Sequence, residues 1–507
     1  MMNRLVDFSI RNRALVILAA LLLIGVGLYS AVNLPIDAVP DISMKQVVVN
    51  TAAPALGPEE VERQITTPIE VALSGLPHTQ DLRSVSQFGL SQVTVVFADD
   101  ASIYLARQLV NERLQDVREQ LPPGIEAPTL APIATGLGEI YYVFVEGEDY
   151  SLMERRTILD WQVKPRLRTV PGIIEINSFG GHVKQYQVLA DPERLRAYDL
   201  TLADVREALE KNNRNAGGGY VSKENEQQIV QGLGVVQNLD DLRNIVLKSE
   251  RGAFVLIRDV AQVEFGPATR QGSITKDGKG EAVAAIAVML MGENSRTVTQ
   301  RVKERVAEVQ KEVPPGIQLV GFMDRTTLVE DTLDTVGYNL LHGGVLVVLV
   351  LFLFLLQLRA GLIVSSVIPL SMLVAIIGMK RFGVSANLMS LGAIDFGLIV
   401  DAAVIIVENC VRRLAEARRD AGGALTREER FQTLREATVE VRSASQFGEL
   451  IIISAYIPIL TLVGVEGKMF RPMGLTVIFA LAGALVMSPC TQRHRLWSGS
   501  SLSRARS

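Results

Sequence analysis

Apolar residues are spread very unevenly along this chain. From Ala14 to Val32 they run almost without interruption, and no comparable stretch occurs again until Val336. Five then follow closely, at about Val336–Leu356, Leu362–Met379, Leu388–Val407, Phe447–Val463 and Met473–Met487. Each comes near the ~20 residues that a helix needs to cross the hydrocarbon core, the last being the shortest. The first run is preceded by Arg4, Arg11 and Arg13, a basic front that a secretory leader would share. It is longer than the apolar part of a leader and flows into Asn33-Leu34-Pro35 without a small-x-small cleavage site, so we read it as an uncleaved span.

Between about residues 34 and 335 the pattern changes to that of a mixed α/β domain. Gln46–Asn50 and Val93–Phe97 read as strands, and Pro58–Leu73 reads as a helix with proline near its start. Ile103–Gln120 is an amphipathic helix stopped by Pro122-Pro123-Gly124. That helix returns later in the chain. Val110–Val117 leading to Leu121-Pro122-Pro123-Gly124-Ile125 matches Val302–Val309 leading to Val313-Pro314-Pro315-Gly316-Ile317. Each copy follows a strand, Val93–Phe97 or Val283–Leu290, an order that fits two βαβ sandwiches of the split, ferredoxin-like kind. Chance likeness of two amphipathic helices with one stop signal is the competing reading. Between the copies, about 182–272 has a different character and reads as an inserted subdomain. Its Ala216-Gly217-Gly218-Gly219-Tyr220 lacks the GK[ST] ending of a phosphate loop and is expected to be a loop or hairpin.

Composition adjusts this picture only slightly. The 507 residues are 48% hydrophobic and 21% charged, averages that conceal a membrane part and an ordinary water-soluble part. A net charge of −4 excludes a generally basic nucleic-acid binder. Two cysteines, Cys410 and Cys490, exclude a disulfide framework, and His78, His182, His342 and His494 are too scattered for a histidine-based metal motif. Arginines crowd the amino terminus, the stretch after the fourth span (Arg412 to Arg442) and the tail (Arg493 to Arg506). All three lie on one side, the cytoplasmic one, if there are six spans, with Lys380 and Arg381 dissenting from a very short loop.

The chemistry is concentrated in the fourth span, Gly392 to Asn409, where Asp395, Asp401 and Glu408 interrupt apolar sequence. An aspartate near the bilayer centre costs about 2.5–3.5 kcal/mol even on the gentlest scale, so such residues are rare and usually functional. In a regular helix Asp401 and Glu408 fall nearly on one face, about 10 Å apart, while Asp395 lies roughly 120° away. Asp395 therefore faces another helix, or the helix is distorted near Gly392 and Gly397. For Glu408 a solvated helix terminus is an equal alternative. Burial raises a carboxyl pKa, so these groups suit a proton relay. No nucleophile–base set or cofactor loop points to an enzyme. His342, in the second span, reads as packed or at headgroup level, and most of the outside methionines (Met44, Met153, Met289, Met291 and Met323) read as core.

Several of these segments resemble the resistance–nodulation–division transporters, and specifically their heavy-metal efflux branch of the cobalt–zinc–cadmium type. The residues that carry the likeness are Asp395-Phe396-Gly397, Asp401-Ala402-Ala403-Val404 and Val407-Glu408-Asn409, with Asn33 to Ile42 and the loop Gly464 to Met473. The resemblance covers residues 1 to about 487. It implies an inner-membrane homotrimer that exchanges protons for divalent cations, driven by the proton-motive force and without a cofactor. It would work with a periplasmic adaptor and an outer-membrane channel, and with no nucleic acid. Asp395 places the likeness on the cobalt, zinc, cadmium or nickel side, since copper–silver relatives lack that carboxylate. Glu139, in Gly136-Leu137-Gly138-Glu139-Ile140, resembles a metal ligand of the zinc-type pumps, with a solvated strand-edge glutamate as the equal alternative.

The expected architecture is a six-span α-helical membrane part with an α+β periplasmic domain of ferredoxin-like porter subdomains and an inserted docking subdomain. The segments are 1–33 for the first helix, 34–134 for porter subdomain 1, 135–181 with 273–335 for porter subdomain 2, 182–272 for docking, and 336–487 for spans two to six. Family members are about twice this length. The polar Ser/Arg tail at 488–507 is expected to reflect a frame change or truncation, and transport by this chain alone is doubtful. The alternatives are a non-transporting fragment that only assembles with partners, and a half-length protein-export component of the SecD kind.

Overall fold

The computed structural model describes residues 13–491, apart from 38–39, 224–225, 251, 271, 356–357 and 422–424. The basic front before Arg13 and the Ser/Arg tail lie outside the described residues.

Two four-stranded antiparallel sheets make up most of the water-exposed part. In the first, the spatial order is Thr79–Gln87, Leu90–Phe97, Lys45–Ala52, Thr129–Leu130. In the second it is Gln318–Asp324, Glu139–Glu146, Val283–Met289, Ile173–Gly180, the same order by chain position read from the other edge. Alternation fixes the register: Val47 faces Val95 and Val49 faces Val93, and all four are fully buried. A long helix covers each sheet. Ile103–Arg118 buries Ala106, Val110, Leu114 and Val117, and Ser295–Val309 buries Val298, Val302, Val306 and Val309. These are the same four positions of the repeated segment, spaced four, four and three residues apart, so the two stretches are structurally equivalent.

The equivalence extends to the other helix of each sheet. Pro58–Val61 and Thr67–Leu73 are joined by a π-turn at Glu62–Thr66, and Leu152–Ile158 and Lys164–Arg168 by one at Leu159–Val163. Pro68 and Pro165 follow these turns at the same interval. Proline lacks an N–H and its ring pushes back the carbonyl four residues earlier, which the wider turn accommodates.

Between Ile173–Gly180 and Val283–Met289 the chain leaves the second sheet. Lys184–Ala190 pairs with Ala261–Pro267 and, with Leu195, Val205, Leu242, Ile257 and Val260, encloses a separate core. The glycine run lies on the strand Ala216–Lys223, which pairs with Glu226–Gly232 in a hairpin exposed on both strands.

Among the described residues, six helices are long and apolar enough to cross a membrane: Ala14–Val32, Arg325–Phe354, Ala360–Arg381, Leu388–Asp420, Glu428–Leu460 and Gly464–Ser488. The third and sixth pack closely through glycine. A Cβ on Gly378 would lie 2.6 Å from Phe479, and one on Gly483 2.9 Å from Val374. The first helix joins them through Gly27, where a Cβ would meet Leu373 at 2.7 Å. Lys380, in the last turn of the third helix, rests its ammonium 4.1 Å from the ring centre of Tyr29.

The helix that carries the second apolar run starts before it, at Arg325, directly after the strand Gln318–Asp324. The sequence expectations need two corrections. Gly464–Met473 is not a loop. Gly464, at φ +66°, starts the sixth helix, and those residues form its first turns. Among the outside methionines only Met289 is buried; Met44 and Met323 are exposed, and Met153 and Met291 half-buried, since the sheets fill their cores with valine, isoleucine and leucine.

Candidate proton-relay site in the membrane helices

The fourth span is broken. Its first piece, Leu388–Gly392, is capped by Asn387, whose Oδ1 accepts from the backbone N–H of Met389 at 3.1 Å and of Ser390 at 2.9 Å. Helical hydrogen bonding then lapses across Ala393, Ile394 and Asp395 and resumes in Phe396–Asp420. Asp395 is the cap of this second piece, its Oδ1 accepting from the Gly397 N–H at 2.8 Å. Its carboxyl group therefore sits at the positive end of a helix dipole.

Past the break the helix has two faces. Phe396, Ile399, Val400, Ala403 and Val407 are buried against other helices of the bundle. Gly397, Asp401, Glu408 and Arg412 form an exposed stripe on the other side. The structure thus gathers Asp401 and Glu408 on one face and sets Asp395 apart at the helix start. Neither Asp401 nor Glu408 forms a side-chain hydrogen bond among the described residues.

Sequence reasoning missed a fourth carboxylate. Glu449, on the helix Arg427–Leu460, is 7% exposed, and its Oε1 has no hydrogen-bond partner among the described residues. Arg442 stands two helical turns earlier on the same helix. Arg442 is itself buried and donates from Nη2 to the Leu485 carbonyl at 3.2 Å. The signal was present in the sequence: Glu449 stands two residues inside the apolar run that starts at Phe447.

At the end of the fourth helix away from the break, the fourth and fifth helices are tied together. Arg413 makes a two-pronged contact with Glu440 at 2.7 and 3.0 Å, and the Asn409 side-chain amide donates to the Ala437 carbonyl at 2.8 Å. His342 takes no part; its ring lies 3.7 Å from that of Tyr338 and its Nδ1 contacts the Tyr338 carbonyl, on an exposed face.

The outer domain is pinned to the same helices. The Asp37 N–H donates to the Ala386 carbonyl at 3.0 Å, immediately before the Asn387 cap, while its carboxylate accepts from Ser295 Oγ at 2.7 Å. Burial pushes the Asp37 carboxyl above the ordinary aspartate range, against the lowering effect of the Ser295 hydroxyl. Lys468, in the first turns of the sixth helix, donates to the Ser43 carbonyl and pairs with Asp99, both at 2.7 Å. A cleft of about 950 Å³ opens here, lined among others by Asp41, Lys45, Asp100, Met291 and Arg471.

Glu139 stands at the exposed start of the strand Glu139–Glu146 and accepts from the Tyr142 hydroxyl. Burial, then this hydrogen bond, pushes the Tyr142 phenol up to about 12, so it remains a donor at any physiological pH. Among the described residues no three His, Cys, Asp or Glu side chains gather as a metal site.

The chain as a whole is similar to known proteins. The sequence model of the AcrB/AcrD/AcrF family matches residues 5–490. The chain belongs to this family. It is 50% identical over 497 residues to the cobalt-zinc-cadmium resistance protein CzcA of Cupriavidus metallidurans, and 39% identical over 521 residues to that organism's nickel and cobalt resistance protein CnrA. A crystal structure of a heavy metal efflux pump superposes with a TM-score of 0.87 at 37% identity, covering 96% of this chain and 47% of the other. The chain spans about half the length of the curated relatives it matches: 96% of it aligns with 47% of CzcA. The resemblance to the heavy-metal efflux branch, of the cobalt–zinc–cadmium type, thus rests on almost the whole chain, and membership of a transporter family separates it from enzymes.

Proposed function

We propose that this chain forms one half of a proton-driven exporter of divalent metal cations, of the cobalt, zinc, cadmium or nickel class, in a bacterial inner membrane. The observation that carries this reading is the open acidic stripe of the fourth helix. Asp401 and Glu408 lie on a membrane face that the other five helices leave uncovered, where an ionised carboxylate is costly and a titrating one is useful. The helices of a second half would complete that face. A proton taken from the outside neutralises Asp401; its release inside restores the charge, and the change in field shifts the helix. Asp395 holds the second helical piece at its start, and the contacts of Asp37 and Lys468 carry the shift to the outer domain.

On this reading 34–134 and 135–181 with 273–335 are porter subdomains, and 182–272 is the docking subdomain. Glu139 supplies one ligand to the travelling cation, the others coming from the second half. Assembly as a homotrimer with a periplasmic adaptor and an outer-membrane channel is supported by the projecting hairpin, whose Tyr220, Ile229 and nearby Leu233 are 64%, 82% and 77% exposed.

The test is metal tolerance in a sensitive bacterium that expresses this chain, alone and together with the remaining half of CzcA. Co-expression should raise tolerance to zinc, cobalt, cadmium or nickel, and Asp401→Asn should remove the gain while membrane insertion stays intact. Export that survives Asp401→Asn would refute the assignment. No gain in any combination would favour a fragment that assembles without transporting.

A further inference from the structure

We propose that the groove between the second and third membrane helices is a seat for one acyl chain of a phospholipid. A cavity of about 530 Å³ runs there, with Leu341, Val345, Val348 and Phe352 on one wall and Ile368 and Met372 on the other. A ring set on a glycine marks each end. Phe352 lies against Gly361 at one, and at the other Phe396 of the fourth helix is 3.4 Å from where a Cβ on Gly343 would stand. Among the described lining residues the only polar side chain is Ser365, and its hydroxyl donates to the Gly361 carbonyl at 2.7 Å. Nothing in the groove asks for a cation or a polar ligand.

Its shape selects the occupant. Leu340 and Phe352 mark its extremes on the second helix, about 18 Å apart along the axis. The mean cross-section is therefore about 30 Å², against about 80 Å² for even a slender helix ~10 Å across. A helix of the second half does not fit. A single polymethylene chain, the thin apolar partner that the bilayer itself supplies, does. The length agrees too, since half of the hydrocarbon core is about 15 Å deep. A second half also has its place elsewhere: Phe396 lies about 140° round the fourth helix from Asp401, so helices that cover the acidic stripe leave this groove to lipid.

Helices in a membrane gain little by hiding apolar surface from lipid and associate through close packing instead. The third and sixth achieve this through Gly378 and Gly483, whereas the second and third leave a void that forfeits dispersion contacts unless a chain fills it. The seat has a mechanical consequence. The second helix follows directly on the strand Gln318–Asp324, so a lodged chain braces the helix that carries the second sheet against the third helix and the start of the fourth.

This inference does not depend on proton exchange, and its test needs no transport. The chain, alone and co-expressed with the remaining half of CzcA, is reconstituted in vesicles of phosphatidylethanolamine and phosphatidylglycerol. These contain a phosphatidylcholine with a photoactivatable diazirine midway along one acyl chain. After illumination, crosslinked peptides are quantified by mass spectrometry. In the chain alone, Val348 and Met372 should label severalfold more than Leu21 and Leu22, which are exposed on the first helix and meet ordinary lipid. A Cβ on Gly344 meets nothing within 4 Å, so Gly344→Phe has room to enter the groove and should cut that labelling severalfold, as should Val345→Trp. Gly337→Phe, equally unobstructed on the same helix but outside the groove, should leave it unchanged. Unaltered labelling of Leu21 and Leu22 shows that the filled variants still fold. Groove labelling no higher than that of Leu21 and Leu22, or indifferent to both filling variants, would mean passing lipid only and overturn the seat. Labelling lost on co-expression would assign the groove to a helix of the second half and overturn it equally.

Discussion

The helices Ser295–Val309 and Phe396–Asp420 are both two-faced, and each packs one apolar stripe against the rest of the protein. In the first the opposite face is water-exposed and carries arginine, lysine and glutamate, as in any soluble amphipathic helix. In the second the opposite face carries Asp401 and Glu408 within a segment of membrane hydropathy, where no water replaces the missing partners. The same pattern is thus complete in one solvent and incomplete in the other. A helix in water with a charged face needs no explanation; a membrane helix with one needs a covering element, a water-filled path, or both.

The sharpest way to break this comparison is to exchange the two environments. Val302→Asp places an unpaired charge among fully buried valines, and should destabilise the second sandwich by about 3–5 kcal/mol. Limited proteolysis across a denaturant series measures the loss; Val110→Asp in the equivalent helix should do the same to the first. The reverse exchange, Asp401→Leu, should ease membrane insertion by about 2.5–3.5 kcal/mol without weakening the bundle. An insertion assay that reports apparent transfer free energy would show it, and a less stable bundle would mean that Asp401 already has a structural partner.

Smaller effects sharpen the contrast in packing. Gly27→Ala forces a methyl group against Leu373 and should lower stability in detergent by about 1–3 kcal/mol, whereas Gly25→Ala meets nothing within 4 Å and should be neutral or stabilising. Equal melting temperatures for the two variants would remove the first helix from its place beside the third. The smallest effect concerns Asp324, at the junction of the second sheet and the second span. Burial alone would raise its pKa, but hydrogen bonds from Lys303 and from the hydroxyl and N–H of Thr326 outweigh that and hold the carboxyl below its ordinary value. A depressed folded-state value stabilises above the unfolded value of about 3.9 and loses that contribution as pH falls through the folded one. Lys303→Met should therefore cost at most about 1 kcal/mol at neutral pH, with the difference from wild type vanishing in strong acid, as a pH series of thermal melts would record.

Much of the frame was legible because it depends on local rules. The apolar runs gave the spans, the Pro-Pro-Gly stops gave the ends of the two equivalent helices, and the glycine run proved to be a hairpin. The carboxylates of the fourth span stood out because charge is rare in such sequence. The break at Ala393–Asp395 was legible only as a choice between two geometries, since 100° per residue puts Asp395 off the stripe without saying whether the helix bends or the neighbour changes. Glu449 went unnoticed near the start of an apolar run, where a charge reads as a solvated helix end.

What the sequence determined by itself was therefore periodicity and exclusion: six apolar helices, a duplicated sheet-and-helix unit, and no enzyme-like set of side chains. What tertiary structure decided was which face of each helix is covered. Burial is a property of neighbours that come from distant parts of the chain, such as Asp37 beside Ser295 and Lys468 beside Asp99. No local pattern encodes those meetings.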